Sequence, residues 1–145
     1  MKATRTYFAN QWTIVAKEIS DLTGYDGGAL FNITGDAMVR IFAVVGDTAI
    51  TSTSGTTTIS VGTAEDPVAL LAAATIDNAQ FGATDVWVDS SPTVDVEALD
   101  SQWFIVGGGA DIIATRSVDD IEAGNITFYC QYIALSDDCV VAPAA

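Results

Sequence analysis

Four carboxylates, Asp89, Asp95, Glu97 and Asp100, fall within twelve residues. Two acids facing each other across a cleft could hydrolyse a glycosidic bond, one as acid and one as base or nucleophile. Gathered on a loop, the same acids could hold Ca²⁺, which takes six to eight oxygen ligands. The spacing fits neither chemistry: it does not match the twelve-residue EF-hand loop and lacks the glycine such a loop requires. Acids are so common here that a solvated loop rim accounts for the cluster, and Asp119-Asp120 and Asp137-Asp138 are equally unspecific pairs. The chain has no histidine, and its cysteines, Cys130 and Cys139, have no base of the usual kind to activate them. Both read as free thiols, Cys130 as a small core residue in an apolar strand. Glycines 107–109 could suggest a phosphate cradle, but no lysine follows and no helix pattern begins there. The inventory points to no enzyme, no cofactor and no metal site.

Charge is more informative. The 145 residues carry a net charge of −14, which repels phosphate backbones and argues against nucleic-acid binding. Lys2, Arg5 and Lys17 all precede the first acid, Glu18, so residues 1–17 carry +3 and residues 18–145 carry −17. This asymmetry divides the chain into an N-terminal arm, residues 1–12, and a domain, residues 13–145, with the arm expected to touch something other than its own acidic body. Arg40 and Arg116 are the only basic residues beyond Lys17, each within an apolar strand. They are expected to form structural ion pairs with partly buried acids, contact with a partner being the alternative. Trp12, Trp87 and Trp103 read as core residues rather than a sugar platform. No apolar run approaches the 18 or so residues that span a bilayer, so no membrane partner is expected. The opening residues lack the apolar segment of a secretion signal, so synthesis is expected in the cytoplasm.

A chain of this length can bury a core without staples, and its elements read as strands. Residues 30–45 hold two apolar, β-branched runs that meet at Gly35-Asp36, the pattern of a central hairpin. Residues 12–19 read as a strand, although Trp12, Val15 and Ile19 also fit a helical spacing. Thr-rich strands are expected around Ser54-Gly55. Asp66-Pro67 ahead of Val-Ala-Leu-Leu-Ala-Ala-Ala is the one helix-start signal, giving a short helix or a buried strand. Shorter strands follow at 86–88, 102–106 and 111–117, and the longest at 126–135. Eight or more strands punctuated by turns indicate an all-β fold, a single β-sandwich or jelly-roll-like domain with at most one short helix.

The order of several motifs carries a resemblance. Ala29-Leu-Phe-Asn-Ile-Thr-Gly-Asp-Ala-Met-Val, the corner Val45-Gly-Asp-Thr-Ala-Ile, the Thr-rich tract and the closing Ala123-Gly-Asn-Ile-Thr-Phe-Tyr-Cys-Gln-Tyr-Ile-Ala-Leu-Ser-Asp-Asp together resemble the head decoration, or capsid cement, proteins of tailed bacteriophages. Such proteins sit on the outer capsid surface of the virion, so the resemblance implies a subunit, commonly a homotrimer, whose partner is the major capsid protein. On that reading Lys2, Arg5, Tyr7, Phe8 and Trp12 would make the capsid contact, the cations meeting capsid acids and the aromatics supplying apolar area. A carbohydrate- or receptor-binding module of a head or tail fibre is the alternative. It would be marked by exposed tryptophans beside an acidic calcium loop.

Overall fold

A computed structural model describes residues 12–77, 80–99 and 102–145. Lys2, Arg5, Tyr7 and Phe8 lie outside the described residues, as does Asp100.

Among the described residues, twelve strands form two antiparallel layers and a small clip. The first sheet contains β1 (Thr13–Ile19), β11 (Ile126–Ala134) and β3 (Ala37–Val45), in that order, with β7 (Val86–Trp87) and β8 (Phe104–Val106) both on the far edge of β3. The second runs β12 (Val140–Pro143), β2 (Gly27–Thr34), β9 (Ile112–Ser117), β5 (Thr58–Gly62) and β6 (Leu71–Thr75). The clip pairs β4 (Thr51–Ser52) with β10 (Ile121–Ala123). The all-β sandwich expected from the sequence is therefore the architecture found.

Its connectivity differs from the expectation. The runs that meet at Gly35-Asp36 do not pair with each other: β2 bonds to β12 and β9, whereas β3 bonds to β11, β7 and β8. The corner is an arch that carries the chain from one layer to the other. Gly35 takes φ +74°, and a Cβ there would collide with the Ser136 side chain. Around the arch, Asp36 N donates to Ser136 Oγ at 2.8 Å, Gly108 N donates to the Asp36 carboxylate at 2.9 Å, and Leu135 N donates to Asp36 O at 2.9 Å. These bonds join three loops at one end of the sandwich, and a two-residue hairpin would leave them unmade. The Thr-rich tract is no hairpin either, because β4 joins the clip and β5 joins the second sheet. Among the described residues, β5 and β6 are the one pair of consecutive strands bonded to each other.

Asp66-Pro67 starts no helix. Ala69 N donates to Asp66 O at 3.3 Å to make a turn, and the alanines continue as β6, with Thr75 opposite Thr58 and Ala74 opposite Ile59. The run is too short to stabilise a helix alone, and the open edge of β5 offers backbone partners at once. The reading of 12–19 as a strand holds for Thr13–Ile19.

The core lies between the layers. Val39, Ile41, Ala43, Phe128 and Cys130 of the first sheet meet Phe31, Ile33, Ile59, Val61 and Ile112 of the second. Trp87 is fully buried and packs edge-on to Phe81 at 5.3 Å and Phe128 at 6.2 Å between ring centroids.

Candidate docking face

Side chains alternate across a strand, so the register of the first sheet fixes what its outward side presents. Ile133, Met38 and Ile105 form one row, and Ile14, Gln131 and Arg40 the next. Ala16, Tyr129 and Phe42 follow, then Glu18, Thr127 and Val44. Trp12 continues the alternation of β1, and Leu135 that of β11. Glu18 is the one acid in these rows, at their margin. Ile105 is 75% exposed, Trp12 54% and Ile14 44%. Among the described residues, these rows of a protein of net charge −14 hold a single acid and many large apolar groups, with Asp89 beside Arg40 beyond the far edge of β3.

Local sequence explains the side. In β3 both parities are largely apolar: Val39, Ile41 and Ala43 point inward, while Met38, Phe42 and Val44 point outward. A strand written this way is built for cover on both sides. Phe42 and Tyr129 stack with centroids 5.1 Å apart and planes 14° from parallel. Beside them, Arg40 lies over the Trp103 ring at 4.7 Å and donates from Nε and Nη2 to Gln131 Oε1 at 3.0 and 2.7 Å. The guanidinium is thereby held flat, a cation built into an apolar surface.

Next to Arg40 the far edge of β3 is interrupted. β7 covers Ala43 and Val44, and β8 covers Ala37 to Val39. The gap opens into a cavity of 180 Å³ lined by residues that include Arg40, Val88, Asp89, Leu99 and Phe104.

The other sequence candidates fall elsewhere. Arg116 sits at the end of β9, its side chain 12% exposed, with Nη2 2.5 Å from Asp26 and 3.4 Å from Asp120. Both of those acids are well exposed, whereas the sequence suggested partly buried ones. Nη1 of Arg116 donates to Asp119 O at 2.5 Å, tying the turn after β9 to the strand. Lys17 reaches across the side of the sandwich to donate to Ala144 O at 2.7 Å, so its charge is engaged by its own domain. Of the acids at 89–97, Asp89 accepts from Ser91 N at 2.7 Å, Asp95 from Thr84 Oγ1 at 3.1 Å and Glu97 from Thr93 Oγ1. They brace their own loop, and among the described residues no group of three or more His, Cys, Asp or Glu converges as a metal site would.

Of the tryptophans, Trp87 is in the core, Trp103 lies under Arg40 and Trp12 is exposed. No pair of exposed tryptophans forms a platform. Both cysteines are free. Burial, with Cys139 nearby as a smaller influence, pushes the Cys130 thiol up to about 12, and burial also raises Cys139. The thiolate, the reactive form, is disfavoured at both.

This arrangement can bury apolar area against another surface. Such burial yields roughly 25 cal/mol per Å², and contiguous exposed apolar patches mark interaction sites. Ile14, Met38, Ile105, Tyr129 and Ile133 were not sequence candidates for contact, although the apolar residues on both parities of β3 signal Met38, and the alternation of β11 sets Tyr129 and Ile133 apart from the core side.

No protein-family model matches this sequence, and no curated protein matches it. Among solved structures, a chain in the capsid asymmetric unit of cyanophage Pam1 shares the fold, with a TM-score of 0.50 and 16% identity over 85% of this chain and 84% of that one.

Proposed function

We propose that this protein is a structural component of a bacteriophage virion, a decoration protein that binds the outer capsid surface as a homotrimer and stabilises the expanded shell by bridging major capsid subunits. The observation that carries this reading is the fold shared with a chain of a phage capsid along most of both chains. The broad apolar side on an acidic body supports a role in assembly, and the resemblance of motif order supports the decoration class.

The mechanism is linkage. A ligand that binds only the expanded lattice stabilises it by RT ln(1 + [L]/Kd), about 2.7 kcal/mol per site at a hundredfold excess over Kd. Joining three copies raises the effective concentration of the second and third contacts once the first is seated. Lys2, Arg5, Tyr7, Phe8 and Trp12 supply the contact with the shell, and the acidic remainder keeps decorated heads from adhering to one another.

Deleting residues 2–11 tests the contact. The truncated protein should lose binding to expanded heads, and unchanged binding would remove the arm from the mechanism. Heads heated with and without the intact protein test the cementing role. Decorated heads should rupture at higher temperature, and equal rupture temperatures would end the proposal.

A further inference from the structure

Trp12 belongs both to the arm and to the outward side of the first sheet. It continues the outward alternation of β1, and extending the register of Thr13 opposite Tyr132 by one residue sets it opposite Ile133. Ile133 lies opposite Met38, and Met38 opposite Ile105. The four make one row across the sheet, about 14 Å long at about 4.8 Å per strand. Trp12 and Ile105, at its two ends, are 54% and 75% exposed. The four steps of chain from Phe8 to Trp12 span at most about 14 Å. Any surface that Phe8 and Trp12 both touch therefore comes within reach of this row.

We propose that the outward side of the first sheet is a second part of the shell contact, with Trp12, Ile133, Met38 and Ile105 seated against an apolar patch of the major capsid subunit. This rests on the reading above, which makes that subunit the partner. Chain length favours this occupant, because the arm that meets the shell leaves from the row itself. Area disfavours a second copy: six residues along the strands by four strands across is a footprint of roughly 400 Å², whereas stable pairs bury about 800 Å² on each partner. Joined to the arm's aromatics, at about 150–250 Å² each, the same side reaches that size. Charge contributes little here. Arg40 is engaged within its own copy by Gln131 and the Trp103 ring, and Asp89 shares its cavity lining. Glu18 stands in the row farthest from Trp12. Attraction at this side comes from apolar area, and charge steering is left to Lys2 and Arg5.

Ile105→Asp and Ile105→Lys test it in the full chain, because this side chain is mostly in water and the core stays intact. Both should keep the parent's mass by light scattering and its melting midpoint. Both should bind expanded heads about tenfold more weakly in co-sedimentation, while Val118→Asp, at an exposed apolar position after β9, should stay within about twofold of the parent. Oxidative labelling of the unaltered chain needs no variant: Met38 and Tyr129 should be protected on heads relative to the free protein. Binding of either Ile105 variant within about twofold of the parent overturns the proposal, as does unchanged labelling of Met38 and Tyr129. Tighter binding by Ile105→Lys would make the contact electrostatic, and loss of the parent's mass together with binding would put the side between copies; either result also overturns it. A parent protein that binds no heads ends the virion reading and this proposal together, whereas a parent that binds beside unaffected variants removes the side alone.

Discussion

The two outward sides of the sandwich are built on the same kind of strand and read as opposites. On the first sheet, Met38, Phe42, Val44, Tyr129, Ile133 and Ile105 surround one arginine. On the second, Thr58 and Ser60 lie opposite Ser117 and Thr115, Asn32 opposite Ala142 and Thr34 opposite Val140. Thr58 Oγ1 and Ser117 Oγ are 2.5 Å apart, a hydroxyl pair of the sort that a wet antiparallel sheet carries. The inward residues do not differ in this way: both layers contribute Val, Ile, Phe and Ala to one core. Half the positions of β3 and β11 therefore face the core, and the other half face outward. The second sheet's outer positions are more polar, Thr58, Ser117, Asn32 and Thr34 among them, although Ser60 is itself buried.

Mutations along β11 sharpen that division. Phe128→Ala removes a fully buried ring beside Trp87 and should cost about 3–5 kcal/mol of stability, read by denaturant unfolding. Alkaline pH probes the same inward side. Cys130 and Tyr25 are each pushed up to about 12 by burial, so the folded state holds these protons after the unfolded state has released them. Stability should therefore be complete below pH 9 and fall as pH rises from 9 towards 12, and Cys130→Ala should flatten part of that decline. A flat profile for the parent chain would contradict the burial.

On the outward side the effects should be smaller. Arg40→Ala loses its place over Trp103 and its bonds to Gln131, which is 5% exposed, and should cost about 1–3 kcal/mol. Tyr129→Ala, one residue from Phe128, loses the stack on Phe42 and should cost about 1 kcal/mol. If it matched Phe128→Ala, the two parities of the strand would not be distinct in stability. Ser117→Ala on the second sheet should change stability by about 0.5 kcal/mol or less, measured by the shift in the melting midpoint.

Strand positions were legible because alternation and β-branched composition are local signals. Ile126 to Leu135 divides into Phe128, Cys130 and Tyr132 against Tyr129, Gln131 and Ile133 in the sequence, and the structure places those sets on opposite sides. Strand partnership was not legible. Gly35-Asp36 reads as a reversal either way, and whether the next strand returns alongside or crosses to the other layer is decided by Ser136 and Gly108, far off in the chain. The alanines of β6 were equally ambiguous until the edge of β5 was in place. For the candidate site, charge drew attention to the arm, while the apolar side was hidden among residues that resemble ordinary core. Arg116 was visible as an isolated cation, but its exposed partners, Asp26 and Asp120, carried no signal of their own among so many acids.

The long-range partnership of the first strands with the last has a kinetic consequence. β1 waits for β11, with Thr13 opposite Tyr132, and β2 waits for β12, with Thr34 opposite Val140. Neither layer can be completed on the ribosome until the last of these strands has emerged, and such high contact order places refolding in the millisecond-to-second range. Until then β3, apolar on both parities, is the segment most in need of shelter from other nascent chains.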